Sequence, residues 1–293
     1  MPKKILMTGI TGFLGSQLAK ELLSKGYEVI ALKRKTSSLE KIESVLSRVI
    51  LYDLENIDFV EIFKSHPEID IIIHTATCYG RNNESTCQIT EANTSFPLRL
   101  LEAAISSGIN SFINTDTTLD KLLNKYSLSK NQFREWGKYY SLQNEIHFTN
   151  LKLEHFYGPG DGESKFTTYV IKNCLDKNIP ELKLTLGEQK RDFIYIDDVI
   201  SAYLILLEKM NTFSDGFKEF EIGSGRAVSI KDFATTVHRL SESECTLNFG
   251  AIPYRKKEVM LSEANIAPLT KLGWTCKIAL EQGLKMTIES MKQ

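Results

Sequence analysis

Several features that would place a protein in a special class are missing from this sequence. It has five cysteines, an odd number, and none is spaced as C-x-x-C, which argues against a disulfide framework or a zinc site. No apolar run approaches the roughly 18 residues that a membrane-spanning helix requires, and the N-terminal residues lack the apolar core of a signal peptide. A formal net charge of −1 gives no basic excess for nucleic acid or an anionic membrane. We therefore expect a cytoplasmic, globular protein that holds no metal and binds neither nucleic acid nor membranes.

What the sequence does contain is a regular alternation of short apolar runs and helix-length amphipathic segments. This alternation is typical of a parallel sheet connected by crossover helices. The runs predicted as strands span residues 4–8, 28–32, 49–52, 70–74, 111–114 and 147–153, and the helices between them include residues 88–107 and 119–141. The sequence therefore predicts an α/β fold with a Rossmann-like, doubly wound parallel sheet.

Three glycines lie between the first predicted strand and the first predicted helix, in the run Gly9-Ile10-Thr11-Gly12-Phe13-Leu14-Gly15. Glycines at such a turn let a dinucleotide pyrophosphate approach the backbone, and the helix N-terminus supplies free N–H groups. Taken alone, the triplet also fits an ordinary tight turn. In the context of the predicted fold it indicates a dinucleotide site formed by Gly9, Thr11, Gly12, Phe13, Leu14 and Gly15.

The second predicted strand runs into three consecutive cations, Lys33-Arg34-Lys35. NAD-binding chains usually place a carboxylate near this point, which holds the adenosine ribose hydroxyls. A carboxylate would repel a 2′-phosphate, whereas lysine and arginine pair with it through charge-assisted hydrogen bonds. The cations therefore favour NADP(H) as the cofactor, with Lys33 and Arg34 as its ligands. A solvated run of charge is the alternative interpretation.

Tyr126 and Lys130 form a Y-x-x-x-K pair on a predicted helix. Because residues i and i+4 share one helix face, the Lys130 ammonium can lie close to the Tyr126 phenol. A fixed cation stabilises the phenolate and lowers the pKa of a group that ordinarily titrates near pH 10. We predict that Tyr126 is the acid–base catalyst and that Lys130 lowers its pKa.

The G-x-x-G-x-x-G spacing and the Y-x-x-x-K pair together resemble the short-chain dehydrogenase/reductase superfamily, particularly its extended branch acting on nucleotide sugars. The resemblance implies a third catalytic group, a hydroxyl at the end of the fifth strand. Anchoring on Phe112-Ile113 selects Thr117, whereas anchoring on the Thr-Asp pair selects Thr115; we prefer Thr117. The dehydratases of this branch carry Thr-Asp-Glu at this point. Here Thr117 follows Asp116, so dehydration is disfavoured.

The same resemblance implies further cofactor contacts. Asp53 and its neighbour Leu54 follow the third strand, where the family places an acidic residue at the adenine amino group, although Asp53 also suits a turn or a helix cap. Thr75, Ala76 and Thr77 match a segment that lines the cofactor. Lys130 is expected to hold the nicotinamide ribose.

The substrate side rests on resemblance as well. The run that begins at Arg191 matches the Arg-Asp-Phe-x-Tyr segment of the extended branch, and Arg255 fits its second arginine on the substrate diphosphate, a role that suits a planar guanidinium. The substrate-binding residues expected in this way are Tyr79, Thr117, Lys165, Phe166, Arg191 and Arg255.

Four segments, residues 78–84, 151–158, 161–166 and 249–252, resemble the CDP-paratose and CDP-abequose synthases more closely than the superfamily. That resemblance implies NADPH-dependent reduction of the C4 keto group of a CDP-4-keto-3,6-dideoxyhexose, for O-antigen synthesis. A nucleotide-sugar 4-epimerase with tightly bound NAD is the alternative. The resemblance also implies a homodimer formed through the predicted helices 88–107 and 119–141.

The pattern of predicted elements changes after residue 158, where loops lengthen and short strands mix with helices. We expect residues 1–158 to form the NADP-binding domain and residues 159–293 to form mainly a smaller, mixed α/β domain for the nucleotide sugar. Some later segments, about 190–230, are expected to return to the first domain.

Overall fold

The computed structural model describes residues 3–55, 57–213 and 216–292. The strands are β1 Lys4–Thr8, β2 Glu28–Lys33, β3 Val49–Asp53, β4 Ile69–His74, β5 Ser111–Thr117, β6 His147–Leu153, β7 His155–Tyr157, β8 Glu181–Leu184, β9 Lys190–Tyr195, β10 Phe217–Ile222, β11 Ala227–Ser229, β12 Thr246–Phe249 and β13 Leu261–Ser262. The α-helices are α1 Phe13–Ser24, α2 Phe59–Ser65, α3 Thr86–Thr90, α4 Phe96–Ser106, α5 Lys125–Leu142, α6 Phe166–Leu175, α7 Ile196–Lys209, α8 Ile230–Ser241, α9 Ala267–Lys271 and α10 Leu280–Lys292. None of these helices is both long enough and apolar enough to cross a membrane.

The chain divides into two compact units. The first contains the described residues up to Lys152 together with Leu206–Phe220, and the second contains Leu153–Ile205 and the described residues from Glu221 onward. The division differs from the expected boundary at 158 because β7 pairs with β9, which belongs to the second unit. For the same reason the returning segment is shorter than 190–230.

The first unit is built on a seven-stranded sheet with the order β10-β6-β5-β4-β1-β2-β3. The pairings among β1 to β5 are parallel, which confirms the predicted fold class. Its core residues, among them Leu6, Ile72 and Phe112, come from strands that are apolar on both faces, as a sheet covered by helices on both sides requires. The strand order reverses between β1 and β4, and in open α/β sheets ligands bind outside the carboxyl ends of the strands at such a point.

Two predicted helices differ from the observed ones. The segment predicted as one helix over 88–107 is interrupted by a π-helical turn, Glu91–Ser95, between α3 and α4. The helix predicted over 119–141 begins only at Lys125, because Asn124 caps it: the Asn124 side chain accepts a hydrogen bond from the Ser127 N–H, and the Ser127 hydroxyl accepts one from the Asn124 N–H. The preceding residues form turns.

The second unit contains two small sheets. In the larger, β9 pairs in parallel with β7 and β13 and antiparallel with β11. In the smaller, β8 and β12 pair in parallel. Its core includes the stacked rings of Phe193 and Phe233, whose centroids lie 4.2 Å apart. This mixed arrangement agrees with the predicted smaller α/β part of the chain.

Candidate active site

The glycine turn packs so closely against neighbouring backbone that it has no room for side chains. Gly9 adopts a φ of +76°, which favours glycine, and its carbonyl accepts a hydrogen bond of 2.9 Å from the Gly12 N–H. A Cβ on Gly15 would lie 2.1 Å from the Gly9 carbonyl oxygen, and one on Gly9 would lie 2.5 Å from the Ala76 nitrogen. α1 begins directly after Gly12 with no side-chain cap and no acidic residue in its first turn. This N-terminus therefore suits an anion.

The residues after β4 lie directly beside this turn. Thr75 donates a hydrogen bond of 2.8 Å from its hydroxyl to the Thr8 carbonyl, and the Ala76 N–H donates one to the Thr8 hydroxyl. The next residue, Thr77, reaches across to Asn93 in the π-helical turn. The structure thus brings the glycines and residues 75–77 together at the carboxyl edge of β1 and β4, as predicted for a cofactor site.

Asn93 links that segment to helix α5. Its side-chain oxygen accepts a hydrogen bond of 2.7 Å from the Cys78 N–H, and its amide nitrogen donates to the Cys78 carbonyl at 2.8 Å and to the Ser129 hydroxyl at 3.0 Å. Thr94 adds a hydrogen bond from its hydroxyl to the Ser129 carbonyl. The π-helical turn, a feature often found at functional sites, therefore fixes α5 relative to the end of β4.

The cationic run after β2 has an acidic neighbour that its own sequence does not show. Lys33 lies opposite Asp53 in the β2–β3 ladder, and the two side chains form an ion pair. The neighbouring strand β3 thus supplies an acid beside the first of the three cations. Leu54 is half-buried, and its N–H donates to the Lys33 carbonyl. Arg34 is exposed and forms no ion pair in the described part of the chain.

The three predicted catalytic side chains converge at the end of β5 and the start of α5. Thr117 is the last residue of β5, and its side chain forms a hydrogen bond with that of Tyr126. Lys130, one helical turn beyond Tyr126, is 1% exposed, and its ammonium nitrogen forms no hydrogen bond within the described residues. The contact with Tyr126 favours Thr117 over Thr115 as the third member, and the catalytic roles stay predictions.

The electrostatics of this pair differ from the sequence expectation. Burial raises the pKa of Tyr126 well above its ordinary value, and the charges of Tyr79 and Asp116 raise it further. The strongest influences that lower this pKa are the hydrogen bond with Thr117 and the charge of Arg81, rather than Lys130. Burial also lowers the pKa of Lys130 to about 8. A phenol in this environment is a proton donor at neutral pH.

His74, the last residue of β4, is a fully buried, neutral side chain. Its Nδ1 shares a hydrogen bond of 2.7 Å with the Thr8 hydroxyl, and its ring contacts those of Phe112 and Phe133. Burial and the charge of Lys130 keep the pKa of His74 well below its ordinary value.

Tyr79 and Arg81 extend the catalytic pair toward solvent. The rings of Tyr79 and Tyr126 have centroids 5.0 Å apart, and the Arg81 guanidinium lies 4.9 Å from the centre of the Tyr79 ring. Tyr79 was predicted as a substrate contact. Arg81 was not predicted as a site residue, since a single arginine in a loop carries no pattern that marks it.

The remaining predicted substrate residues lie in the second unit. Arg191 is largely buried and forms an ion pair with Glu258. Burial lowers the pKa of Arg191, and the nearby charge of Arg255 lowers it further. Glu258 is a contact that sequence reasoning missed. The other predicted residues have partners of their own. Lys165 pairs with Asp161 at 3.1 Å and lies over the Phe156 ring, and the Phe166 ring packs against that of Phe233.

Comparisons with known proteins agree with this geometry. The model of the NAD dependent epimerase/dehydratase family matches residues 5–223. The chain is 37% identical to the CDP-abequose synthase of Salmonella muenchen, over 99% of this chain and 98% of that protein. A UDP-glucose 4-epimerase of Thermotoga maritima, solved with UDP-glucose, has the same fold, with a TM-score of 0.85 and 24% identity over 99% of this chain and 98% of the other. So has a UDP-glucuronic acid 4-epimerase of Bacillus cereus, solved with UDP-glucuronic acid and NAD, with a TM-score of 0.84 and 24% identity over 99% of both chains. The chain therefore belongs to the NAD dependent epimerase/dehydratase family, the extended branch of the short-chain dehydrogenases/reductases.

Proposed function

We propose that this protein is an NADPH-dependent reductase of a nucleotide-linked 4-keto-deoxyhexose. The proposed substrate is CDP-4-keto-3,6-dideoxyglucose, and the product is CDP-paratose or CDP-abequose, used for O-antigen or another surface polysaccharide. The observation that carries the proposal is the Thr117–Tyr126 hydrogen bond beside the buried Lys130. The 37% identity to a CDP-abequose synthase over almost the whole chain supports the substrate class.

The described residues fit a nicotinamide dinucleotide. A Cβ on Gly9 or Gly15 would collide with neighbouring backbone atoms, so the turn keeps this close-packed form only with glycine, and the uncapped start of α1 suits a pyrophosphate. The buried Lys130 ammonium lacks a hydrogen-bond partner within the described residues, which suits a donor to ribose hydroxyls. When bound, the reduced cofactor supplies a hydride to C4 of the sugar.

Tyr126 supplies the proton that completes the reduction. Its pKa is raised by burial, so the phenol is protonated at neutral pH and can give its proton to the oxygen of the forming alcohol. Thr117 holds Tyr126 through their hydrogen bond and has a hydroxyl that can also contact the carbonyl oxygen. The phenolate left on Tyr126 is stabilised by the hydrogen bond with Thr117 and by the charge of Arg81, and solvent returns the proton.

Arg34 is the residue on which NADPH preference rests. Lys33 is neutralised by Asp53, so the exposed guanidinium of Arg34 is left to pair with a 2′-phosphate. The Lys33–Asp53 pair also favours the second candidate, a 4-epimerase with tightly bound NAD, because Asp53 offers a carboxylate near the adenosine ribose. The Bacillus cereus relative in fold was solved with NAD.

Four of the proposed contacts to the nucleotide sugar lie in the second unit. Arg191 and Arg255 have the charge and planarity for its diphosphate, with Lys165 and Phe166 as further contacts. Tyr79 is proposed to contact the sugar beside Tyr126.

We also propose that the protein is a homodimer that pairs through helix α5. Four large apolar side chains on this helix are exposed: Leu128, Trp136, Tyr139 and Leu142, with Trp136 44% exposed. Exposed apolar residues that share one helix face are typical of an interface. Trp136→Glu should convert a dimer into a monomer, measured by light scattering. Leu122→Glu is the control, since Leu122 is exposed but precedes the helix. A monomeric parent protein would contradict the proposal.

The reduction is tested by following nicotinamide absorbance with purified protein and CDP-4-keto-3,6-dideoxyglucose. Stoichiometric oxidation of NADPH is expected, and NMR of the product gives its C4 configuration. Conversion between C4 epimers without net cofactor oxidation would favour the epimerase. No reaction with the CDP sugar would contradict this choice of substrate and direct the assay to dTDP- and GDP-linked 4-keto sugars.

A further inference from the structure

Two exposed side chains of the loop after β4 form a stack with the proposed proton donor. The rings of Tyr79 and Tyr126 have centroids 5.0 Å apart, and their planes are inclined by 39°. The Arg81 guanidinium carbon lies 4.9 Å from the centre of the Tyr79 ring, within the range of a cation–π contact. Tyr79 is 38% exposed, and Arg81 is exposed as well. Contacts between neighbouring side chains, rather than burial in the core, therefore set the conformation of this stack.

The backbone that carries the stack is held in place. Cys78, directly before Tyr79, exchanges two hydrogen bonds of 2.7 and 2.8 Å with the Asn93 side chain. Gly80 adopts a φ of +69°, and a Cβ there would lie 2.7 Å from the Ile89 Cδ1, so the loop packs closely against α3. The freedom that remains at this point of the loop belongs mainly to the stacked side chains.

A proton donor must keep its hydroxyl in one place. Tyr126 is the second residue of α5, and its side chain forms a hydrogen bond with that of Thr117 at the end of β5. That bond restrains the polar end of Tyr126, and the contact with the Tyr79 ring restrains its aromatic body. Arg81 in turn is attracted to the electron-rich face of the Tyr79 ring. Arg81, Tyr79 and Tyr126 thus form a series of contacts.

We propose that Arg81 and Tyr79 are positioning residues that act in series: Arg81 holds the Tyr79 ring, and the Tyr79 ring holds Tyr126 in the orientation from which it delivers its proton. The inference rests on the proposed reductase function. It adds to the sugar contact proposed for Tyr79, because it concerns contacts within the protein. If Arg81 acts through Tyr79, its effect on turnover must disappear when the Tyr79 ring is absent.

A double-mutant cycle on kcat tests this series. Arg81→Gln should lower kcat about two- to fivefold, the factor that corresponds to a cation–π contact at an exposed site. Tyr79→Leu removes both ring contacts and should lower kcat by roughly 2- to 13-fold, the range for an aromatic pair. Adding Arg81→Gln to Tyr79→Leu should cause no further loss.

Conservative variants separate positioning from a general loss of structure. Tyr79→Phe keeps the ring and Arg81→Lys keeps a cation, so both should retain a kcat near that of the parent. The Kd for NADPH, measured without sugar, should match the parent in every variant. If Tyr79→Leu does not fold, Tyr79→Met provides the background without a ring.

Lys138→Gln is the matched control. Lys138 lies farther along α5, and its ammonium is 5.7 Å from the centre of the Phe217 ring, so this variant loses the same kind of contact on the same helix. Its kcat should match the parent. An equal fall in kcat on adding Arg81→Gln to the parent and to Tyr79→Leu would overturn the inference. Parental kcat in Arg81→Gln, or a Tyr79→Phe protein as slow as Tyr79→Leu, would overturn it as well.

A second readout needs no sugar. In NMR spectra of protein with isotope-labelled tyrosine rings, the Tyr126 signal is identified by its absence in Tyr126→Phe. Arg81→Gln should shift this signal when Tyr79 is present and leave it unmoved when Tyr79 is replaced by leucine. A signal that moves in both backgrounds, or in neither, would overturn the inference. Failure of the parent to reduce the sugar would instead contradict the proposed function and leave this test in force.

Discussion

The glycine turn after β1 and the end of β5 lie at the same edge of one sheet, yet they are built in different ways. At the glycine turn the backbone makes the site, because any Cβ on Gly9 or Gly15 would collide with neighbouring atoms. At the end of β5 side chains make the site, since the pKa values of Tyr126 and Lys130 depend on burial and on the charge of Asp116. The first region should therefore control cofactor binding through shape, and the second should control chemistry through protonation.

Removing the Tyr126 hydroxyl should have the largest effect on turnover. Tyr126→Phe keeps the ring and its contact with Tyr79 but has no proton to give, so kcat should fall by about 10²–10⁴-fold. NADPH binding, measured by fluorescence, should stay close to that of the parent protein. Near-parental turnover would show that the end of β5 does not carry the chemistry.

A methyl group on Gly15 should act on NADPH binding, which Tyr126→Phe leaves unchanged. The added Cβ would lie 2.1 Å from the Gly9 carbonyl oxygen. Overpacking costs about 1–3 kcal/mol, which corresponds to a roughly 5- to 150-fold change in an equilibrium constant. We expect Gly15→Ala to weaken NADPH binding by a factor in that range, read from the Kd.

Gly162→Ala is the matched control for this steric effect, because a Cβ there meets nothing within 4 Å. Its melting temperature and its NADPH Kd should both match the parent. If Gly15→Ala bound NADPH as the parent does, the turn would not be the cofactor cradle.

The cations after β2 should control the choice between NADPH and NADH at the adenosine end of the proposed cofactor site. Arg34→Gln should lower the preference for NADPH over NADH by about tenfold, the scale of a lost charge-assisted hydrogen bond. The double variant Lys33→Gln/Asp53→Asn should change it less, because Lys33 and Asp53 already neutralise each other and removing both leaves no net charge. The preference is measured as the ratio of kcat/KM for the two cofactors. A larger effect of the double variant than of Arg34→Gln would reverse this assignment.

The sheet of the first unit and its glycine turn are the parts that the sequence predicts best. The first four strands of the sheet begin or end within a residue of their predicted bounds, and the glycine turn lies at the switch in strand order. Apolar runs and glycine spacing are local features of the sequence. In a parallel sheet they also fix where the residues after each strand lie, because the carboxyl ends of the strands share one edge.

Contacts across strands were not predictable in the same way. The Lys33–Asp53 pair joins residues of neighbouring strands, and the sequence carries no mark of their register. The lowered Tyr126 pKa predicted from the helix spacing was also wrong, because that spacing brings Lys130 near but says nothing of burial or of Asp116. The start of α5 was misplaced because the cap at Asn124 outweighs the helical character of the residues before it.

The most direct test of the account is cofactor oxidation by the purified protein with CDP-4-keto-3,6-dideoxyglucose, measured in parallel for NADPH and NADH. The account predicts rapid oxidation of one equivalent of NADPH per sugar, a slower reaction with NADH, and a product reduced at C4. Absence of oxidation with either cofactor, in a protein that binds NADPH, would contradict the assignment as a reductase of this sugar.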